Sequence, residues 1–218
     1  IMVIDDFTGR SHDCDILLDQ NYSEDRSERY AVLVPPECKQ LIGPGYALIQ
    51  REIGELRRYV RRRSSCENIL VFFTTGDDQG ETLKAMRGVE LFGKAKRVDV
   101  VVGSSNLHKD LTKNKCNELH WGYHCQVDYM PSLIAKADLV IGAGGSSNWE
   151  RCALGTPALV AILANNQSRV AEALDTAGAV RNLGWFNVLT STDYAEALCA
   201  LDGKRLADMS DKAMRIVN

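Results

Sequence analysis

The sequence predicts an α/β fold, a Rossmann-like parallel sheet with helices on both faces, and three observations carry that expectation. From Asn68 onward, apolar runs of strand length alternate with stretches of helical spacing, the pattern of a parallel sheet. Several of those runs end in loops rich in Gly, Ser, Thr or Asn, namely Thr74 to Asp77, Gly103 to Asn106, Gly142 to Ser147 and Asn165 to Gln167. Ligands bind at the carboxyl edge of open parallel sheets, so these loops predict a cleft. Finally, the run Leu139 to Ile141 breaks into Gly142-Ala143-Gly144-Gly145-Ser146-Ser147 and resumes with helical spacing through Leu154. A strand that ends in glycines and opens a helix leaves bare backbone N–H groups where an anion can sit.

Taken in order, Ile1 to Ile4 is an apolar strand running into Asp5-Asp6. A strand of this kind belongs inside a sheet whose other members precede it, so the sequence reads as the C-terminal part of a longer protein. Ile16 to Asn21 is a second short strand, and Cys38 to Tyr46 passes through the turn cluster Gly43-Pro44-Gly45. Ile53 to Arg63 has helical spacing, and its cluster Arg57, Arg58, Arg61, Arg62 and Arg63 reads as a solvated helix face. The expected organisation is therefore 1–66 as the end of an N-terminal domain with its connection, and 67–218 as a nucleotide-binding domain. Within the latter, Ile69 to Phe73 is a strand, Thr82 to Phe92 a helix and Val98 to Val102 a strand. A polar stretch with Leu111, Cys116 and Leu119 follows, then a short strand Tyr123 to Val127 and a short helix Ser132 to Ala137. Gly155-Thr156-Pro157 stops the helix after the glycine turn, Ala158 to Leu163 is the next strand, and Ser168 to Thr176 is a helix closed by Gly178. Beyond Gly184 the sequence holds no diagnostic motif.

Composition narrows the function. At 45% hydrophobic and 25% charged residues the chain can bury a sizeable core, and a net charge of -3 argues against a nucleic-acid partner. The 7 cysteines are odd in number and none pairs at C-x-x-C spacing, which supports neither a zinc site nor a disulfide scaffold. Such scattered cysteines are usual in a reducing compartment. With no apolar run of about 18 residues and no signal-like start, the expectation is a soluble cytoplasmic protein without a transmembrane segment. His120 and His124 share a ligand-like spacing, but Trp121-Gly122-Tyr123 between them reads as irregular chain, so no metal is expected. His12, beside Ser11 and Asp13, reads as locally packed. Neither a G-x-S-x-G elbow nor a P-loop is present, no nucleophile is self-evident, and no cofactor is implied.

Glu150, in the first turn after the glycines, is a carboxylate able to accept two hydrogen bonds from a vicinal diol. Ser147-x-x-Glu150 is equally a helix capping box, and both readings stay open on these residues alone. Asp128-Tyr129-Met130-Pro131 follows a strand end and could read a planar base, with Met130 as apolar contact; a plain loop with Met130 in the core fits equally well.

Several motifs together resemble a known family. They are Val3-Ile4-Asp5-Asp6, His12-Asp13-Cys14-Asp15-Ile16-Leu17-Leu18-Asp19-Gln20-Asn21, Gly43-Pro44-x-Tyr46-Ala47-Leu48, Val127-Asp128-x-Met130, Gly142-Ala143-Gly144-Gly145-Ser146-Ser147-x-Trp149-Glu150-Arg151 and Asn166-Gln167. In this order they resemble the UDP-sugar hydrolases of pseudaminic acid biosynthesis, which cleave UDP-2,4-diacetamido-2,4,6-trideoxy-β-L-altropyranose. Those enzymes are similar in turn to the two-domain GT-B N-acetylglucosaminyltransferase of peptidoglycan synthesis. The resemblance implies the C-terminal domain of a GT-B-like two-domain protein, with a UDP-sugar as its small-molecule partner. It implies that Glu150 holds the ribose hydroxyls, that Gly144, Gly145, Ser146 and Ser147 face the diphosphate, and that Val127 and Met130 bracket the uracil. Asn166 matches an active-site asparagine, with Gln167 beside it. Gly76 and Asp77 fall where the family carries a Gly-Gly-Ser-Asp loop, so the backbone approach to the phosphates is altered there. The family's catalytic histidine, in a glycine-rich loop of the N-terminal domain, has no counterpart among these residues. A GT-B glycosyltransferase and a non-catalytic nucleotide-sugar binding module are the rival readings.

Overall fold

The structure, a computed structural model, describes residues 1–6, 8–22, 28–73 and 79–217. Two parallel sheets organise it. The first has three strands, β1 (Met2–Ile4), β2 (Ile16–Asp19) and β3 (Lys39–Ile42), in the order β1-β2-β3. Its small core is Cys14, Leu17, Tyr30 and Cys38. A 3-10 turn at Pro44–Tyr46 and helix α1 (Arg51–Leu56) lead to the larger sheet.

That sheet alternates strands and helices as the sequence predicts: β4 (Asn68–Phe72), α2 (Glu81–Phe92), β5 (Arg97–Val102), α3 (Lys109–Leu119), β6 (Gly122–Cys125), α4 (Met130–Lys136) and β7 (Leu139–Ala143). It continues through α5 (Ser147–Ala153), β8 (Ala158–Ile162), α6 (Asn165–Thr176), β9 (Val180–Trp185), α7 (Ser191–Cys199) and α8 (Gly203–Ile216). The strand order is β6-β5-β4-β7-β8-β9, all pairs parallel. The chain winds outward from β4 on one side and from β7 on the other, so the topological switch point lies between those two strands.

Successive strand residues point to opposite faces, and each face has its own core. Leu70, Val140 and Val160 pack with Ile53, Leu133, Trp149, Val170 and Ala213 on one face. Ile69, Val71, Val100, Ile141 and Leu159 pack with Met86, Val89, Cys116, Tyr194 and Leu206 on the other. With both faces covered, β7 and β8 are buried along their whole length, which explains their unbroken apolar texture.

Local expectations are corrected at several points. The helix expected over Ile53 to Arg63 ends at Leu56; a 3-10 turn Arg57–Tyr59 follows, and the backbone is extended at Val60. Arg58 is exposed, as on a solvated face, but the other four arginines are tied to tertiary partners. Arg61 pairs with Asp138 at 2.5 Å, Arg62 with Asp211 at 2.9 Å, and Arg57 donates to the carbonyls of Met214 and Val217. Arg63 is only 1% exposed and donates to the carbonyls of Ala135, Ala137 and Leu154. Tertiary partners here override helix propensity. The polar stretch after Val102 is helix α3, whose buried side chains are only Thr112 and Cys116, and whose Leu111 is exposed. The short strand expected to reach Val127 ends at Cys125, where Gln126 turns the chain with φ 51.

Candidate functional site

The glycine turn sits at the carboxyl end of β7, at the switch point. Gly142 pairs in register with Phe72 of β4, and a Cβ there would fall on the Phe72 carbonyl oxygen. Glycine at this position lets the two strand backbones approach. A Cβ on Gly144 would meet Ala171, Val160 and Gln167 at 3.3–3.4 Å, so Gly144 is packed against β8 and α6. Gly145 differs: among the described residues its nearest such neighbour is Gln167 Nε2 at 3.8 Å, and the residue is half-buried.

Some of the turn's backbone donors are spent: the Gly144 amide donates to the Ala161 carbonyl at 3.2 Å. The amides of Asn148 and Trp149 bond back to the carbonyls of Gly145 and Ser146 at 3.0 and 3.1 Å. The amides of Gly145, Ser146 and Ser147 donate to no group among the described residues. Beside them, the half-buried Glu150 carboxylate accepts no hydrogen bond among the described residues. Burial pushes its pKa up, opposed by the neighbouring Arg151 charge. The capping-box reading falls here, because Ser146 rather than Ser147 is the N-cap and no side chain caps α5.

The structure brings some of the expected site residues together and leaves others apart. Gln167 lies against Gly144 and Gly145, and its Oε1 accepts from the Leu163 amide at 2.9 Å, fixing the chain between β8 and α6. Asn166 is not in a loop but in the first turn of α6, which starts at Asn165 rather than Ser168. It is exposed and lines a cavity of about 370 Å³ with Asn165 and Arg169 of its own helix. The opposite wall is Asp6, Asn21, Tyr22 and Arg29, from the loops of the three-stranded sheet. Val127 and Met130 are half-buried and pack on the same core cluster as Trp149. Gly76 and Asp77 lie outside the described residues.

Sequence reasoning missed the layer behind the turn. Asn148, Trp149 and Arg151 are buried, at 0, 2 and 2% exposure. Arg151 donates through Nη2 to the Ala143 carbonyl at 2.8 Å and to Asn148 Oδ1. One signal could have found it: Arg151 sits between Trp149 and Cys152, on the inward side of a short helix where a cation has no obvious place. Elsewhere, His124 bridges Asp99 at 2.9 Å and the Tyr129 hydroxyl at 3.0 Å. Among the described residues no group of three or more His, Cys, Asp or Glu is placed to hold a metal ion. No helix among them is long and apolar enough to cross a membrane.

Comparisons with known proteins agree with this architecture. Residues 72–216 match the model of the glycosyltransferase family 28 C-terminal domain. The chain is 25% identical over 173 residues to the spore coat polysaccharide biosynthesis protein SpsG of Bacillus subtilis (strain 168), covering 78% of this chain and 50% of that protein. It thus spans about half the length of that curated relative. Among solved structures, MurG of Acinetobacter baumannii superposes with a TM-score of 0.61 at 13% identity, over 92% of this chain and 55% of that one. Os79 from O. sativa, solved in complex with UDP, gives 0.56 at 19% identity, over 75% of this chain and 37% of that one. The forosaminyltransferase SpnP gives 0.54 at 17% identity, over 93% of this chain and 49% of that one. At these identities the solved structures establish the fold, that of GT-B glycosyltransferase C-terminal domains. The family match covers most of the chain, and the protein belongs to the glycosyltransferase family 28 C-terminal domain family.

Proposed function

We propose that the chain is the UDP-holding part of an enzyme that cleaves a UDP-linked amino sugar with water, of the UDP-2,4-diacetamido-2,4,6-trideoxy-β-L-altropyranose type. One observation carries the reading: amides of Gly145, Ser146 and Ser147 that are unspent among the described residues stand beside a Glu150 carboxylate that accepts nothing from those residues, at the switch point. Donors for a diphosphate and an acceptor for a ribose diol are what a nucleoside diphosphate needs. The UDP bound in Os79, a protein of the same fold, supports it. Residues 1–66 then belong to the partner domain and its connection, and 67–218 to the nucleotide domain. Water attacks the anomeric carbon with inversion, UDP departs, and the turn amides stabilise the charge that develops on the diphosphate. Val127 and Met130 bracket the uracil, Gly76 and Asp77 approach the phosphates, and Asn166 positions the sugar or the attacking water. The reaction belongs in the cytoplasm, where nucleotide sugars of this type are made and used.

Calorimetry tests the site. UDP should bind more tightly than UMP, because the second phosphate adds contacts at the turn; equal affinities remove the phosphate assignment. Glu150→Gln should cost about 1–3 kcal/mol of UDP affinity, since a charged acceptor becomes a neutral one. A lower melting temperature with unchanged affinity would instead give Glu150 a structural role.

Transfer of the sugar to an acceptor hydroxyl is a second reading, favoured by the family match and by the transferases that share the fold. In a chain carrying both domains, UDP release measured with and without acceptor sugars separates the two: acceptor-independent release supports hydrolysis, and acceptor-dependent release supports transfer. No release in either arm supports a binding module.

A further inference from the structure

Arg151 is fully enclosed yet under-used. Its Nη2 is spent on Ala143 and Asn148, but Nε and Nη1 are buried with no hydrogen-bond partner among the described residues. The same holds for Asn148 Nδ2 and Trp149 Nε1. All four atoms are donors, and they sit directly behind a turn that has three more unspent donors of its own. No salt bridge joins Arg151 to a carboxylate among the described residues, and the neighbouring Glu150 charge offsets it only through space. Nη1 lies 3.0 Å from the place a Cβ on Gly142 would occupy, so the guanidinium reaches the β4–β7 junction beneath the turn. Burial lowers its pKa to about 10, which leaves it cationic at neutral pH. A buried guanidinium with no salt bridge and two unpartnered nitrogens is expensive, and folds rarely keep one without a use.

We propose that Arg151 is the positioning residue of the glycine turn and sets its charge selectivity, holding the Ala143 carbonyl while its charge, bound in no salt bridge, tunes the turn for a diphosphate rather than a neutral nucleoside. The inference rests on the nucleotide reading above and assigns within it the source of the preference for charge. Arg151 touches the ligand only through the turn. Its loss therefore weakens recognition of the phosphates more than that of the nucleoside, which Glu150 and the apolar contacts supply; because the Arg151 charge also favours the Glu150 carboxylate, the comparison is made at a pH where Glu150 stays ionised.

The test is the ratio of UDP affinity to uridine affinity, measured by calorimetry on the whole chain. Arg151→Met keeps the volume and removes the charge; UDP affinity should fall 10- to 100-fold while uridine affinity changes less than about threefold. Arg151→Lys should recover most of the ratio. Asn148→Asp gives an independent check that keeps the arginine, since it places a counter-ion beside it; the melting temperature should hold or rise while the ratio falls at least tenfold. Should Arg151→Met fail to fold, Asn148→Asp decides alone. Variants that retain the wild-type ratio, or that lower both affinities equally, overturn this inference and leave the nucleotide site standing. A wild-type chain that binds UDP no better than uridine overturns the nucleotide reading and this inference with it.

Discussion

At Gly142 a methyl group would collide with the Phe72 backbone, whereas at Gly145 it would meet nothing among the described residues closer than 3.8 Å. Two glycines of one turn therefore have separate jobs, one letting strands approach and one leaving the turn open. Gly142→Ala should cost about 1–3 kcal/mol of stability through overpacking. Gly145→Ala should stay within about 0.5 kcal/mol in a denaturant melt yet lower UDP affinity, because the new methyl stands over the amides. Glu150 makes a pH prediction at the same scale. Burial raises its pKa above the ordinary value of about 4.3, and only the ionised form accepts both hydroxyls of a diol. Uridine affinity should therefore fall as the pH drops through that raised pKa, in a window above the usual carboxylate range. Glu150→Gln should lack this component; an identical pH profile in the variant would separate Glu150 from the ribose.

The stretch 57–68 acts as a strap between elements. Asp138, 1% exposed and just ahead of β7, accepts from the amides of Glu67 and Asn68 at 3.0 and 2.8 Å and from Arg61. Burial alone would raise its pKa, but the Arg61 hydrogen bond and those two amides outweigh it and hold the carboxyl below its ordinary value. A carboxyl whose folded pKa is depressed stabilises fully above its unfolded pKa of about 3.9, and the contribution is lost as pH falls through the folded value. Asp138→Asn should thus melt lower than the parent at neutral pH, and the difference should shrink below about pH 4. Arg63 is the strap's other end. Arg63→Met should cost about 3–5 kcal/mol, because it strands buried carbonyls of α4 and α5 that the guanidinium now serves. Helix α8 belongs to the same assembly through Arg62–Asp211 and through Ser210, whose hydroxyl donates to the Gly155 carbonyl at 2.7 Å.

Across the whole molecule, the turn and Asn166 occupy different parts of one edge. The turn stands at the carboxyl end of β7 beside β4, and Asn166 lines the cavity against the loops of the three-stranded sheet. In a protein carrying this chain and turning over a UDP-sugar, Asn166→Ala should lower kcat more than it weakens UDP binding. Normal turnover with poor UDP affinity would move Asn166 to the nucleotide side.

The strand–helix alternation, the buried β7 and β8, and the glycine turn were legible in the sequence because each is a local property. Apolar runs, period-2 alternation and glycine's freedom at a close backbone approach need no distant partner to be recognised. Helix α3 was not legible, because most of its surface faces water and only Thr112 and Cys116 mark its inner side. Helices α7 and α8 do carry local signals, a Thr190–Asp193 capping box and an Asp202 cap, that stand apart from any ligand motif. What only the tertiary structure decided is which residues meet. The placing of β4 beside β7 makes Phe72 the neighbour of Gly142, 70 positions apart in the chain. The same crossover topology turns Arg63 from a surface charge into a bridge to Leu154, and Arg151 into a buried cation behind the turn. Solvent exposure and charge compensation depend on such long-range contacts, so composition and spacing along the chain do not contain them.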